Sequence, residues 1–131
     1  MKAAENAARL APDSELVLAE LAEAALEAGQ LDRAEEVAAR LVGTNPTAVE
    51  PLLTRGAVFV ARKQWDRAED DYRAALRIHP QYPQARLMLG VCLYHRGNPE
   101  AGRKEAETAI GLATNPRQKA ALQEWYERQT R

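Results

Sequence analysis

The sequence has little of what disulfide-bonded, membrane-spanning or β-rich proteins require. It contains one cysteine, Cys92, so no disulfide can form within the chain. No apolar run approaches the ~20 residues that a membrane-spanning helix needs, and no signal-peptide pattern is visible after Met1. Aromatic residues make up only 5% of the chain, and valine, isoleucine and threonine are sparse, which disfavours strands. Alanine, the best helix former, supplies 26 of the 131 residues, so we expect an all-α protein.

The charged residues argue against a nucleic-acid partner. There is no basic run and no interleaving of aromatic with basic residues, which nucleic-acid-binding surfaces usually show. The net charge of −1 conceals an asymmetry, because residues 1–50 carry 10 acidic and 4 basic side chains while residues 51–131 carry 9 and 14. Such polarity can steer a partner or favour head-to-tail self-contact. Drift of charge on solvated faces is the simpler explanation.

A fixed period runs through the chain. Pro12, Pro46 and Pro80 are equally spaced, and the tetrapeptide Asp-Arg-Ala-Glu at 32–35 returns with the same step at 66–69. A fixed period of about 34 residues is typical of repeat architectures, in which a single unit cannot bury its apolar face alone. The charges of the tetrapeptide are expected to form i,i+3 and i,i+4 ion pairs on an outer helix face.

Apolar stripes with helical spacing, interrupted by glycine and proline, predict a series of helices. Thr47 and Glu50 have the spacing of a capping box, and Asn98 before Pro99 is a typical helix start. The predicted helices cover residues 14–28, 31–42, 47–62, 65–78, 83–95, 98–113 and the segment after Asn115.

Each unit carries small, apolar and proline residues at matching places. They are Leu52, Arg55, Gly56, Phe59, Ala68, Tyr72 and Pro80 in the second unit, Leu18, Leu21, Ala22, Ala25, Ala34, Ala38 and Pro46 in the first, and Arg86, Leu89, Gly90, Leu93, Gly102, Ala106 and a late Pro116 in the third. This pattern resembles the tetratricopeptide repeat, whose signature is W-x2-L-G-x2-Y, then A-x3-F, then P. Gly56 and Gly90 are expected where the two helices of a unit cross.

The resemblance implies a single domain over residues 1–131, an all-α, right-handed superhelical solenoid of antiparallel helix pairs. Its expected parts are a half-repeat helix at 1–12, repeats at 14–46, 47–80 and 81–114, and a capping helix at 116–131.

The two ends of the solenoid raise separate questions. Because Pro12 keeps the period, the chain either begins with a vestigial repeat or is a piece of a longer solenoid. A soluble protein of this kind fits the cytoplasm or the periplasm. In the last helix, Trp125 is expected to be largely buried near Ala106, Ala109 and Ile110, with a docking helix for another domain as the alternative.

The sequence shows no catalytic constellation, phosphate loop or metal site. Cys92 and His95 form a single Cys-x-x-His pair, whereas zinc usually takes four ligands. We therefore expect a non-enzymatic protein without metal or cofactor.

Tetratricopeptide domains are protein-interaction modules, so the resemblance implies a scaffold that binds an apolar or amphipathic peptide or helix in a concave groove lined by the first helix of each pair. Leu53, Ala57, Val60, Leu87, Val91 and Tyr94 are expected to form an exposed apolar strip there. The predicted groove residues are Leu16, Ala19, Glu23, Leu26, Glu50, Leu53, Ala57, Val60, Gln84, Leu87, Val91 and Tyr94.

Two alternatives and one exclusion accompany this hypothesis. One alternative is a self-assembly module that forms head-to-tail homo-oligomers. The other is an accessory domain of a larger enzyme. Some members of the family clamp the acidic tail of heat-shock chaperones with basic residues. The corresponding positions hold no basic residue; they are Ala19, Glu23, Thr54, Gln84 and Met88.

Overall fold

The computed structural model describes residues 14–131, and within that range the chain consists of helices and turns, without a strand. The half-repeat helix predicted at 1–12 lies outside the described residues. The helices are α1 (Glu15–Glu27), α2 (Leu31–Thr44), α3 (Val49–Ala61), α4 (Trp65–Ile78), α5 (Pro83–His95), α6 (Pro99–Gly111) and α7 (Pro116–Gln129).

The helices stack in chain order as three pairs. We call α1 with α2 unit 1, α3 with α4 unit 2, and α5 with α6 unit 3. The second helix of each unit packs on the first helix of the next, α1 also touches α3, and α7 packs on α6 and α5. Within the described range, unit 1 makes no substantial contact with α7. The predicted all-α solenoid is therefore confirmed, and it is open rather than closed into a bundle.

The first turn of α3 differs from the prediction. Ala48 is the N-cap and no side chain caps this helix, so the capping box predicted from Thr47 and Glu50 is wrong. Pro51 gives the physical reason. With Thr47 as N-cap, Pro51 would be the fourth helical residue, whose N–H makes the first intrahelical hydrogen bond, and proline has no N–H. With Ala48 as N-cap, Pro51 is the third residue and needs no partner.

The two helices of units 2 and 3 cross at glycine, as expected. A Cβ built on Gly56 would lie 2.7 Å from the Tyr72 ring, and one built on Gly90 would lie 2.6 Å from the carbonyl oxygen of Gly102. Gly102 is unfavourable for a helix by about 1 kcal/mol relative to alanine. Its close approach to Gly90 explains why glycine stands there.

In the third unit, the aromatic ring that packs over the glycine crossing comes from α7. Ala106 has the register of Tyr72, so unit 3 has no large side chain of its own over Gly90. Tyr126 takes that place, buried, with its hydroxyl donating to the Gly90 carbonyl oxygen at 3.3 Å. Trp125 packs, as expected, against the cluster that contains Ala106 and Ala109, but it is only half-buried there, and the buried position of α7 belongs to Tyr126.

None of the seven helices in the described part of the chain is both long and apolar enough to cross a membrane.

Candidate functional site

The twelve residues predicted to line the groove lie on α1, α3 and α5, and we call them the first-helix row. Leu16, Glu23, Glu50 and Gln84 are exposed in this row. The half-buried members are Ala19, Leu26, Ala57, Val60 and Tyr94.

The remaining three members of the row lie in the core. Leu53 packs with the central cluster of unit 2, and Leu87 and Val91 pack with residues of α6 and α7. The expectation that these three residues belong to an exposed apolar strip is therefore wrong. The cause at Leu87 and Val91 is α7, because Tyr126 and Leu122 belong to the same cluster and close over them.

Most of the open apolar surface of the row lies on units 1 and 2, and Tyr94 of unit 3 is half-buried. Leu16 is 70% exposed, the highest value among the large apolar side chains that the structure describes. Ala19, Leu26, Ala57 and Val60 are half-buried on the two neighbouring helices. We call these five residues the α1–α3 patch. Glu23 and Glu50 are its exposed acidic neighbours within the row.

A cavity of about 320 Å³, the α5–α7 cleft, lies between the beginnings of α5 and α7. Its walls are mostly apolar and contain no charged residue. The lining residues are Tyr82, Pro83, Gln84, Leu87, Ala109, Gln118 and Leu122. Two residues of the first-helix row, Gln84 and Leu87, thus line this cleft together with α7.

The row has no cation of its own, because none of its twelve members is lysine or arginine. The hydroxyl of Tyr82, at the start of unit 3, donates to Oε1 of Glu50 in unit 2 at 3.3 Å and links these two units. Burial, together with the neighbouring Glu50 carboxylate, raises the pKa of Tyr82. The tyrosine therefore stays a neutral donor at physiological pH.

The repeated Asp-Arg-Ala-Glu tetrapeptide connects consecutive units. Arg62 follows α3 and pairs with Asp32 at 2.7 Å and Glu35 at 3.6 Å in unit 1. Arg96, which stands one period after Arg62, pairs with Glu69 at 2.9 Å. The expected pairing within the helix exists for Glu69, which also accepts from Arg73 four residues on, but the recurring partner is the arginine of the next unit.

Glu69 shows how this pairing acts on a buried acid. Burial by itself would raise the pKa of the carboxyl group, but hydrogen bonds from Arg73 and Arg96 outweigh it and hold the pKa of Glu69 below its ordinary value. Glu69 is therefore ionised and compensated at neutral pH.

Unit 2 contains a second buried acid. Asp71 accepts two hydrogen bonds from Arg55, at 2.7 and 2.9 Å, and this bond to Asp71 raises the pKa of the arginine. Such a bidentate pair fixes the geometry between α3 and α4. The sequence offered no repeated signal for it, since Leu21 and Val37 stand at the matching places of unit 1.

The cysteine and histidine of the Cys-x-x-His pair have separate structural roles. His95 stacks on Trp65 with 4.1 Å between ring centroids, and its Nε2 lies 2.9 Å from the carbonyl oxygen of Gln129. Cys92 is fully buried in the core of unit 2 and unit 3. Burial raises the pKa of its thiol to about 12. Residues 14–131 contain no group of three or more His, Cys, Asp and Glu side chains arranged to hold a metal ion.

A family model described as tetratricopeptide repeat matches residues 1–55 and 59–124. The chain belongs to the tetratricopeptide-repeat family. The glycine crossings and the regular proline register of this tetratricopeptide domain are thus features of the family as well as of the fold. Tetratricopeptide domains are generally non-catalytic modules of protein interaction, so the family indicates a protein partner.

Solved structures with the same fold include the Yersinia enterocolitica type III secretion translocator chaperone SycD, with a TM-score of 0.79, 21% identity, and coverage of 92% of this chain and 96% of that one. The Arabidopsis OM64 tetratricopeptide domain has a TM-score of 0.75, 18% identity, and coverage of 87% and 94%. The Sgt2 tetratricopeptide domain from Aspergillus fumigatus has a TM-score of 0.75, 19% identity, and coverage of 87% and 77%. At these identities the likeness shows the fold. No curated protein matches the sequence significantly.

Proposed function

We propose that the chain is a non-catalytic scaffold that binds an apolar or amphipathic peptide or helix along its first-helix row, with the α1–α3 patch as the main contact. The observation that supports the proposal is the 70% exposure of Leu16 on α1, the helix that also carries half-buried Ala19 and Leu26, while neighbouring α3 carries half-buried Ala57 and Val60. Exposed apolar surface with a polar rim is a common mark of an interaction site. The name of one fold neighbour, the translocator chaperone SycD, agrees with a protein partner.

The chemistry of the patch favours an amphipathic ligand. Leu16, Leu26 and Val60 offer aliphatic contacts, and Glu23 and Glu50 stand at the edge in contact with water. A peptide helix that packs one apolar face into such a groove carries its apolar anchor residues at positions i, i+3 or i+4, and i+7. The row has no basic side chain to hold a carboxylate terminus, so a ligand defined by an acidic tail is not proposed.

Display of a random peptide library tests this function directly. Peptides are selected on the purified chain and then measured against Leu16→Glu/Val60→Glu. Both positions are at least partly open to solvent, so circular dichroism should show an intact fold. We expect selected peptides to carry apolar residues at helical spacing and to lose at least tenfold in affinity for the double variant.

The chain offers a matched control for this experiment. Ile78 is 44% exposed at the end of α4, outside the first-helix row. Ile78→Glu makes the same chemical change and should leave peptide affinity unaltered. Peptides that bind the folded double variant as well as the native chain, or that are lost with Ile78→Glu instead, would show that the row is not the site.

A further inference from the structure

The α5–α7 cleft is equivalent, one unit further along the chain, to the site on unit 2 that the Tyr82 side chain occupies. Tyr82 is the N-cap of α5, directly before Pro83. Its side chain packs against the cluster that contains Leu53 and Ala75, and its hydroxyl donates to Glu50. An aromatic side chain from the beginning of unit 3 thereby covers the beginning of unit 2.

Unit 3 has the residues of the Tyr82 site at the same register positions. One period after Glu50, Leu53 and Ala75 stand Gln84, Leu87 and Ala109, and all three of these line the cleft. The cleft therefore keeps the aliphatic residues of the Tyr82 site and has a glutamine side chain in the register position of Glu50. Leu122 of α7 closes the far side.

In unit 3, no aromatic side chain at the start of the following helix fills the equivalent site. Asn115 is the N-cap of α7 directly before Pro116, the place that Tyr82 has before Pro83. Asparagine carries no ring, and Oδ1 of Asn115 instead accepts from the backbone N–H of Gln118 at 2.7 Å. Tyr126 anchors the other end of α7 on Gly90, so the beginning of this helix leaves a cavity of about 320 Å³.

We propose that the α5–α7 cleft binds a tyrosine side chain of a peptide ligand, which takes the place that Tyr82 takes between units 2 and 3. This inference rests on the proposed function, because it assumes a peptide on the first-helix row and names one of its residues. An apolar cavity of ~150 Å³ holds a benzene molecule, so the cleft has room for a phenol ring. The tyrosine hydroxyl donates to the side-chain carbonyl of Gln84, and the uncharged walls disfavour a charged side chain.

Nuclear magnetic resonance titration of the native chain with N-acetyl-tyrosine amide tests the site. We expect saturable shifts of the Gln84 side-chain amide and of the Leu87 and Leu122 methyl groups. N-acetyl-phenylalanine amide should bind about fivefold more weakly, as the loss of one neutral hydrogen bond predicts. N-acetyl-lysine amide should cause no saturable shift.

Two kinds of variant assign the binding to the cleft. Gln84→Ala should reduce the tyrosine probe to the affinity of the phenylalanine probe, whereas Gln81→Ala, on an exposed residue outside the cleft, should keep the difference. Ala109→Leu should fill the cavity and abolish binding of both probes. Leu122→Trp serves the same purpose if circular dichroism shows that Ala109→Leu is unfolded.

The outcomes separate this inference from the groove proposal. Equal affinity for the two aromatic probes, or binding that persists in a folded filled-cavity variant, overturns the tyrosine assignment. Leu16→Glu/Val60→Glu should leave probe binding unchanged, since neither residue lines the cleft. If the probe binds the native chain but library peptides bind the double variant as well as the native chain, the groove proposal fails while the cleft stands.

Discussion

The backbones of Gly90 and Gly102 approach so closely that a Cβ built on Gly102 would lie 2.5 Å from the carbonyl oxygen of Gly90. We expect Gly102→Ala to destabilise the protein by about 1–3 kcal/mol, because the clash with fixed backbone outweighs the helix propensity that alanine brings. Urea unfolding followed by circular dichroism measures the effect. Gly43→Ala is the control, since Gly43 also lies in a helix and its Cβ would meet nothing within 4 Å. It should be neutral or stabilising, and two equal results would contradict the argument.

Tyr126 should contribute more to stability than Trp125. Tyr126 is buried over Gly90, so Tyr126→Ala should cost about 3–5 kcal/mol, whereas Trp125→Ala at a half-buried position should cost less. Tyr126→Phe keeps the ring and loses the bond to the Gly90 carbonyl, for about 0.5–1.5 kcal/mol. Thermal melts of the three variants test this order. A larger loss for Trp125→Ala would restore the tryptophan as the anchor of α7.

Glu69→Gln should destabilise the protein in a way that depends on pH. The pKa of Glu69 is lowered in the folded state, so its ion pairs stabilise the fold above the ordinary glutamate pKa of ~4.3 and lose this effect as the pH falls through the folded value. At neutral pH we expect a loss on the order of 1 kcal/mol. Chemical unfolding of both proteins at pH 7 and pH 3 should show the difference shrink at the lower pH.

Arg103→Ala is the matched control for that experiment. Arg103 is exposed and its contacts to Glu100 and Glu107 are long, at 3.8 and 4.0 Å. Its replacement should change stability little at either pH. A difference for Glu69→Gln that is the same at pH 7 and pH 3 would rule out the ionised carboxylate as its cause.

Cys92 should react with thiol reagents only when the protein unfolds. Its side chain is fully buried, and a thiol pKa of about 12 leaves almost no thiolate at neutral pH, which is the nucleophilic form. Absorbance after addition of 5,5′-dithiobis(2-nitrobenzoic acid) should show no modification of the native chain at pH 8 and one equivalent in denaturant. Rapid labelling of the native state would mean that the core around α5 opens readily.

The sequence contained enough information for the architecture because the fold repeats it. A single period, measured from Pro46 to Pro80, placed the three helix pairs, and α4 and α5 begin and end where the pattern predicted. Helix ends that depend on local hydrogen bonding were harder to predict. At α3, Pro51 decided between two possible caps.

Helical spacing predicted the exposure of only part of the first-helix row, mainly in unit 1. There the exposed members of the first-helix row follow from helical spacing alone, as Leu16 and Glu23 show. Leu87 and Val91 have the same spacing, but α7 covers them, and the rotation of α7 follows from where Tyr126 fits against Gly90. The apolar pattern of one helix does not predict how Tyr126 packs on Gly90, because this contact joins residues that are 36 positions apart in the chain.

The arginine partners of the repeated acids could have been found from the sequence. Arg62 and Arg96 obey the same periodic register as Glu35 and Glu69, so each arginine follows its acid at the same distance along the chain. The pairs were missed because ion pairs are usually sought within one helix, at i,i+3 and i,i+4. A periodic sequence justifies a wider search, since any contact between neighbouring units recurs at the period.

The arginine pairs between units also bear on how such a chain changes its length. A deletion of one full period that joined unit 1 to unit 3 would bring Glu35 to Arg96, in the place that Glu69 now holds. A duplication of the same size would create one more acid and one more arginine in matching positions. Recombination within the gene can therefore remove or add whole units while every joint keeps its charge compensation, so that a longer or shorter scaffold needs no new ion pairs to fold.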